Sequence, residues 1–239
     1  MSNLWTTLQE NLTFVAVCGA IIVGLALLAK LAERFMPEKH KISPARRVSV
    51  IGICAAIATV LHMLDFPLLF LAPDFYKVDF SELPVLLCGF FLGPSASVAC
   101  EGIKIILKLL LKSTSTAFVG DFANFAVGCS LVLPATIIYH VHKSKHSALV
   151  GLIVGSLCMT VFGSAFNAIY LLPKFAQLYG MPLDTIIAMG SKVNASVTDV
   201  TTFVLICVAP LNLLKSAVVS LLTMLLYKRV ARPLFGKAL

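Results

Sequence analysis

Ala209-Pro210-Leu211-Asn212-Leu213-Leu214-Lys215 opens an apolar run that continues to Leu226 and closes in Tyr227-Lys228-Arg229. Such a run is long and apolar enough to cross a bilayer as a helix. Asn212 and Lys215 stand three residues apart, so they share one helix face. A polar side chain at membrane depth is costly and usually functional. This stretch therefore points to an all-α integral membrane protein that keeps an amide and an amine together to hold something polar.

Composition agrees. Of 239 residues, 59% are hydrophobic and 13% charged, where a soluble domain carries about 25% charge. The apolar runs are continuous rather than alternating, which argues against a membrane β-barrel. Seven segments stand out: 12–33, 46–66, 83–95, 96–111, 119–141, 147–172 and 203–227. The third and fourth are short and meet at Gly93-Pro94-Ser95, a turn signal. The first has no basic start, so it is expected to be a retained helix rather than a signal peptide. All seven cysteines lie in apolar segments without a CxxC pair, as buried free thiols do.

The net charge of +8 is a topology signal, not a nucleic-acid one. Lys30, Arg34, Lys39, Lys41, Arg46 and Arg47 bracket the first loop; Lys143 and Lys145 fill the loop after the fifth segment; Lys228, Arg229, Arg232 and Lys237 make the tail. Alternate crossings put these three regions on one side, expected to be the cytoplasm, with the N-terminus outside and the C-terminus inside. The opposite loops, 67–82 and 173–202, are long, apolar and proline-braced, which suits a lid better than a solvated connector. A short helix is expected around Pro182–Met189.

The polar residues of the outer halves converge. Asn124, Asn167, Asn212 and Lys215 share one depth, facing the same side as those loops. An amide both donates and accepts, which suits a heterocycle edge of alternating carbonyls and N–H groups. Interhelical hydrogen bonding is the plainer reading of each amide, and snorkelling of Lys215. Asp79 or Ser81 can cap the helix that follows, and Phe75, Tyr76 and Phe80 can stack on a ring or anchor the loop. Glu101, Lys104 and Lys108 are spaced for pairing within one helix. The five histidines do not form a metal set. Small residues recur at spacing four in Gly52/Ala56, Gly89/Gly93 and Gly151/Gly155, allowing close helix packing. There is no GxxxxGK[ST] and no HExxH or GxSxG, so the chain carries no ATP-binding loop and no sharp catalytic signature. A membrane enzyme using Glu101, Asp121 or Asp199 is the rival class, without a spacing that defines a reaction.

At this point the residues match a known pattern. Phe66-Pro67, Lys77-Val78-Asp79-Phe80-Ser81-Glu82-Leu83-Pro84, Gly120–Gly128 with Asn124, Phe166-Asn167, Tyr179-Gly180-Met181-Pro182 and Ala209–Lys215 resemble the substrate-binding (S) components of energy-coupling factor (ECF) vitamin transporters, in their riboflavin-specific branch. The resemblance covers about 46–230. It implies a compact six-helix bundle with the vitamin near the outer face, under the loop at about 67–80. One extra transmembrane helix then precedes the bundle, dividing the chain into 1–45 (that helix and a basic linker) and 46–239. The resemblance implies ligand contacts from Asn167, Asn212 and Lys215, to which the residues add Asn124, Asp79, Phe80, Tyr76 and Lys77. It implies no cofactor and no metal, and as partners a transmembrane scaffold subunit and two ATPase subunits. Ser49, Gly52 and Ala56 would face the scaffold. FMN, a flavin analogue or another vitamin remains the alternative ligand, with Lys77, Lys174 or Lys192 to meet a phosphate.

Overall fold

The computed structural model describes residues 2–36, 42–112, 114 and 118–235; Lys39, His40, Lys41 and Lys237 lie outside them. All seven apolar segments are helical. They are α1 (Ser2–Arg34), α2 (Pro44–Met63), α3 (Glu82–Leu92), α4 (Pro94–Leu111), α5 (Val119–His142), α6 (Lys145–Phe166) and α10 (Ala209–Phe235). Three short helices, α7 (Leu172–Tyr179), α8 (Leu183–Val193) and α9 (Val200–Phe203), fill the long segment before α10. Stretches within α1, α2, α5, α6–α7 and α9–α10 are long and apolar enough to cross a bilayer. α3 has only 11 residues. It turns straight into α4 at Gly93, whose φ of +106° a side chain would strain.

The last helix begins earlier than its proline suggests. α9 passes without a break through a π-helical turn, Val204–Val208, into α10. Pro210 has no N–H to return to the preceding turn, and the wider π spacing carries the chain past that gap. The same device joins α6 to α7: a π-helical turn at Asn167–Leu171 sits two residues before Pro173. The two π turns touch each other at one end of the bundle.

Glycines set the helix spacing. A Cβ on Gly151 would lie 2.6 Å from the Ala135 carbonyl oxygen, and one on Gly155 2.5 Å from that of Leu131. α5 and α6 therefore meet backbone to backbone, as small residues permit in membranes. Gly52 is the opposite case: nothing lies within reach of a Cβ there, and Ser49, Gly52 and Ala56 form an exposed small-residue face on α2.

α1 lies against α4 and α5. Its Glu33 carboxylate accepts from the Ser95 N–H and hydroxyl at 2.9 and 2.7 Å, satisfying the start of α4 from another helix. Arg47 donates to the same hydroxyl at 2.7 Å. The main core is built from α2, α3, α4, α5, α6 and α10. A second core joins the 68–78 loop to α7, α8 and the Val204–Val208 turn through Ala72, Val78, Leu172, Ile186, Phe203 and Cys207. The two long loops of the sequence are thus one packed cap. Inside it, Phe66–Pro67 pairs antiparallel with Lys77–Val78, Phe66 opposite Val78.

Candidate ligand site

The cap and the bundle enclose a cavity of about 300 Å³. It lies where α2 and α4 end, α5 begins, α6 gives way to its π turn and α10 begins. That size is at the lower end for small-molecule sites.

Its floor is ionic. Lys215 of α10 donates to Asp79 Oδ2 at 3.2 Å and to Glu82 Oε1 at 3.0 Å. His62 Nδ1 meets the same Asp79 oxygen at 3.1 Å, and Asp79 Oδ1 accepts from the Ser81 N–H at 2.8 Å. Asp79 thus fixes the turn into α3 while holding the loop to α2 and α10, and the N-cap residue Ser81 makes no side-chain capping bond. Burial acts to raise the Asp79 carboxyl, but the Lys215 ammonium and His62 override it and hold the group well below the usual carboxylate range. Beneath lies Lys104, fully buried, which donates to Glu101 and to Ser81 Oγ and stands 3.6 Å from Glu82. Charges buried this deeply persist only when paired. An ammonium has three N–H donors, so Lys215 keeps one beyond its two carboxylates.

The amides divide into committed and open. Asn167, in the first π turn, accepts from the Tyr76 hydroxyl at 2.6 Å and donates to the Gly163 carbonyl at 2.7 Å. That fixes its orientation and leaves one N–H. Burial raises the Tyr76 phenol, keeping it a donor. Asn124 donates to the Gly120 carbonyl at 3.3 Å. Asn212 differs: its amide nitrogen is buried with no hydrogen-bond partner among the described residues. A buried donor without an acceptor is expensive, so a ligand acceptor gains from meeting it. Phe75, Tyr76, Phe175, Leu171, Met159 and Leu211 supply apolar wall.

Of the residues singled out in the sequence, Asn124, Asn167, Asn212, Lys215, Asp79, Tyr76 and Lys77 line this cavity. Phe80 does not; its ring lies 6.0 Å from that of Phe66 and packs against the main core. Lys77 reaches Asp65 at 3.5 Å. Lys108 does not extend the Glu101–Lys104 pair, as its spacing invited. It bonds Asp121 Oδ1 across the α4–α5 interface at 2.5 Å, because α4 turns that residue toward the cavity, which both partners line. His62 and Glu82 carry no role that the sequence alone assigns, and Asp121 stands in it only as an acid–base group. Glu82 had a weak signal, its place in the Asp79–Pro84 motif. Asp199, the other acid–base candidate, caps α9 by accepting from the Thr202 N–H at 2.7 Å. No group of His, Cys, Asp and Glu among the described residues is placed to hold a metal ion.

The chain is similar to known proteins. The family profile described as "ECF transporter, substrate-specific component" matches residues 46–227. The riboflavin transporter RibU of Staphylococcus aureus (strain TCH60) is 35% identical over 194 residues, spanning 81% of this chain and 95% of that protein. The riboflavin transporter FmnP of Bacillus subtilis (strain 168) is 28% identical over 183 residues, spanning 76% and 90%. A solved chain described as "Structure and mechanism of the S component of a bacterial ECF transporter" superposes with a TM-score of 0.62 at 34% identity, covering 80% of this chain and 98% of that one. The profile match begins within α2, so α1 lies outside it.

Proposed function

This chain belongs to the family of ECF transporter substrate-specific components, and on that premise we propose that it captures riboflavin in the capped cavity and delivers it to an ATP-driven module for uptake. It is a multi-pass membrane protein of a transport family, which sets the membrane-enzyme rival aside. The observation that carries the reading is the pairing of apolar, aromatic wall with unspent donors on Asn167, Asn212 and Lys215. Isoalloxazine has a large flat apolar body and a pyrimidine edge of carbonyls and N–H. A pocket for it needs wall on both sides and a few placed polar groups. The names borne by the relatives from S. aureus and B. subtilis point to the same ligand.

The remaining assignments follow from the same premise. Asn124, Asn167, Asn212 and Lys215 contact the flavin, with Asp79 and Glu82 holding the Lys215 ammonium in place. Tyr76 latches the cap, and Lys77 stands at its rim. Phe80, which packs away from the cavity, supports the loop and makes no contact. Two cations considered for a phosphate are already engaged, Lys77 with Asp65 and Lys174 with Gln177, which favours riboflavin over FMN. The exposed face of Ser49, Gly52 and Ala56 meets the transmembrane scaffold, and two ATPases supply the energy. The cavity opens outward, the basic loops face the cytoplasm, the N-terminus lies outside and the C-terminus inside. Residues 1–45 add one helix to the bundle formed by 46–239.

Detergent-purified protein should carry a flavin absorbance spectrum, or quench the fluorescence of added riboflavin at stoichiometric concentrations. A colourless protein that leaves riboflavin fluorescence untouched, yet binds another vitamin, would overturn the ligand assignment.

A further inference from the structure

Asp121 is an unspent acceptor on the α5 side of the cavity, one helical turn before Asn124. Its residue is 4% exposed. One carboxylate oxygen is bonded to Lys108 Nζ, while the other, Oδ2, is buried with no hydrogen-bond partner among the described residues. An ionised carboxylate only accepts hydrogen bonds, and leaving one buried without a donor is costly. Asp121 and Lys108 both line the cavity. α10, with Asn212 and Lys215, packs on α6 and α3, whereas Asp121 and Lys108 belong to the α4–α5 interface. Asp121 thus adds a free acceptor to a cavity whose other unspent polar groups include the donors of Asn167, Asn212 and Lys215.

We propose that Asp121 is a specificity-determining residue that accepts hydrogen bonds from the hydroxyl groups of a polyhydroxylated side chain on the ligand. The inference rests on the flavin reading above and deepens it. The ring's carbonyls are answered by N–H groups from the Asn167–Leu171 turn and α10. What remains on riboflavin is a neutral chain of hydroxyls, each a donor. A phosphate at the end of that chain would bring negative charge and acceptors towards a carboxylate. A ring without the chain would leave Oδ2 unanswered.

The test compares riboflavin with lumiflavin, which has the same ring and a methyl group in place of the ribityl chain. Both are titrated by fluorescence quenching against the full-length wild type and Asp121→Asn. A hydrogen bond to a charged group is worth enough to weaken riboflavin binding about tenfold or more. Lumiflavin affinity should stay the same. Equal loss for both flavins would make Asp121 a support for the fold and overturn the assignment, as would no loss for either. A wild type that binds neither flavin overturns the functional reading itself, a distinct result. Should Asp121→Asn leave Lys108 unpaired and the protein unfolded, the charge-free pair Lys108→Met with Asp121→Leu must show the same selective loss.

Discussion

The two ends of this bundle are made by the same helices and finished in opposite ways. At the basic end, Tyr139 and Tyr227 join hydroxyl to hydroxyl, the Phe90 ring lies 4.6 Å from that of Tyr139, and His140 bonds the Gly89 carbonyl at 2.9 Å. Glu33, Ser95 and Arg47 close the seam between α1, α2 and α4. Apolar bulk fills that end. At the other end the helices part around a cavity, and its floor is held by lysines and carboxylates that saturate one another only in part. Glu82, Asp121 and Asn212 each keep a buried polar atom there without a hydrogen-bond partner among the described residues. Interiors are normally filled and satisfied. An end that is neither, beneath a packed cap, is the end that waits for a ligand.

Substitutions can break this contrast at several strengths. Lys215→Met should have the largest effect. It leaves Asp79 and Glu82 buried and short of a cation, at a cost of about 3–5 kcal/mol. Thermal unfolding in detergent should show the loss, and riboflavin titration of the protein that still folds should show no binding. Retained affinity would remove Lys215 from the site. Gly155→Ala strikes the shaft between the ends by forcing α5 away from α6, worth about 1–3 kcal/mol of stability. The folded fraction should bind flavin as before; weakened binding would mean that the cavity depends on helix spacing far from it.

Tyr76→Phe removes one hydrogen bond to Asn167, worth about 1 kcal/mol. Stopped-flow release of riboflavin should quicken about fivefold, while the melting temperature barely moves. An unchanged release rate would deny the latch. Tyr139→Phe is the control at the filled end. It should cost about 1 kcal/mol in stability and nothing in affinity. A binding defect there would erase the distinction between the two ends.

Much of the architecture was legible because it rests on local rules. Apolar length alone marks the helices, and Gly93-Pro94 alone marks the α3–α4 turn. The spacing of Asn212 and Lys215 puts both on one face whatever surrounds them. The π turns were not legible: Pro173 and Pro210 signal an interruption, but only packing decides between a helix end and a wider turn. Nor was the ionic floor. Lys215 meets Asp79 across 136 residues of sequence, and no spacing rule reaches that far. Lys108 shows the limit from the other side. Its i+4 distance from Lys104 was visible and misleading, because the partner that holds it comes from α5. Asp121 carried no signal that set it apart from any acidic residue in a first helical turn.

Asn212 offers the most direct test, because its buried amide nitrogen has no hydrogen-bond partner among the described residues. Riboflavin fluorescence should be titrated against wild type and Asn212→Ala, with the thermal transition of each measured alongside. The wild type should quench tightly, the variant should bind at least about tenfold more weakly, and both should melt at the same temperature. Equal affinity in the two proteins would contradict the claim that the unfilled end of the bundle is where the flavin binds.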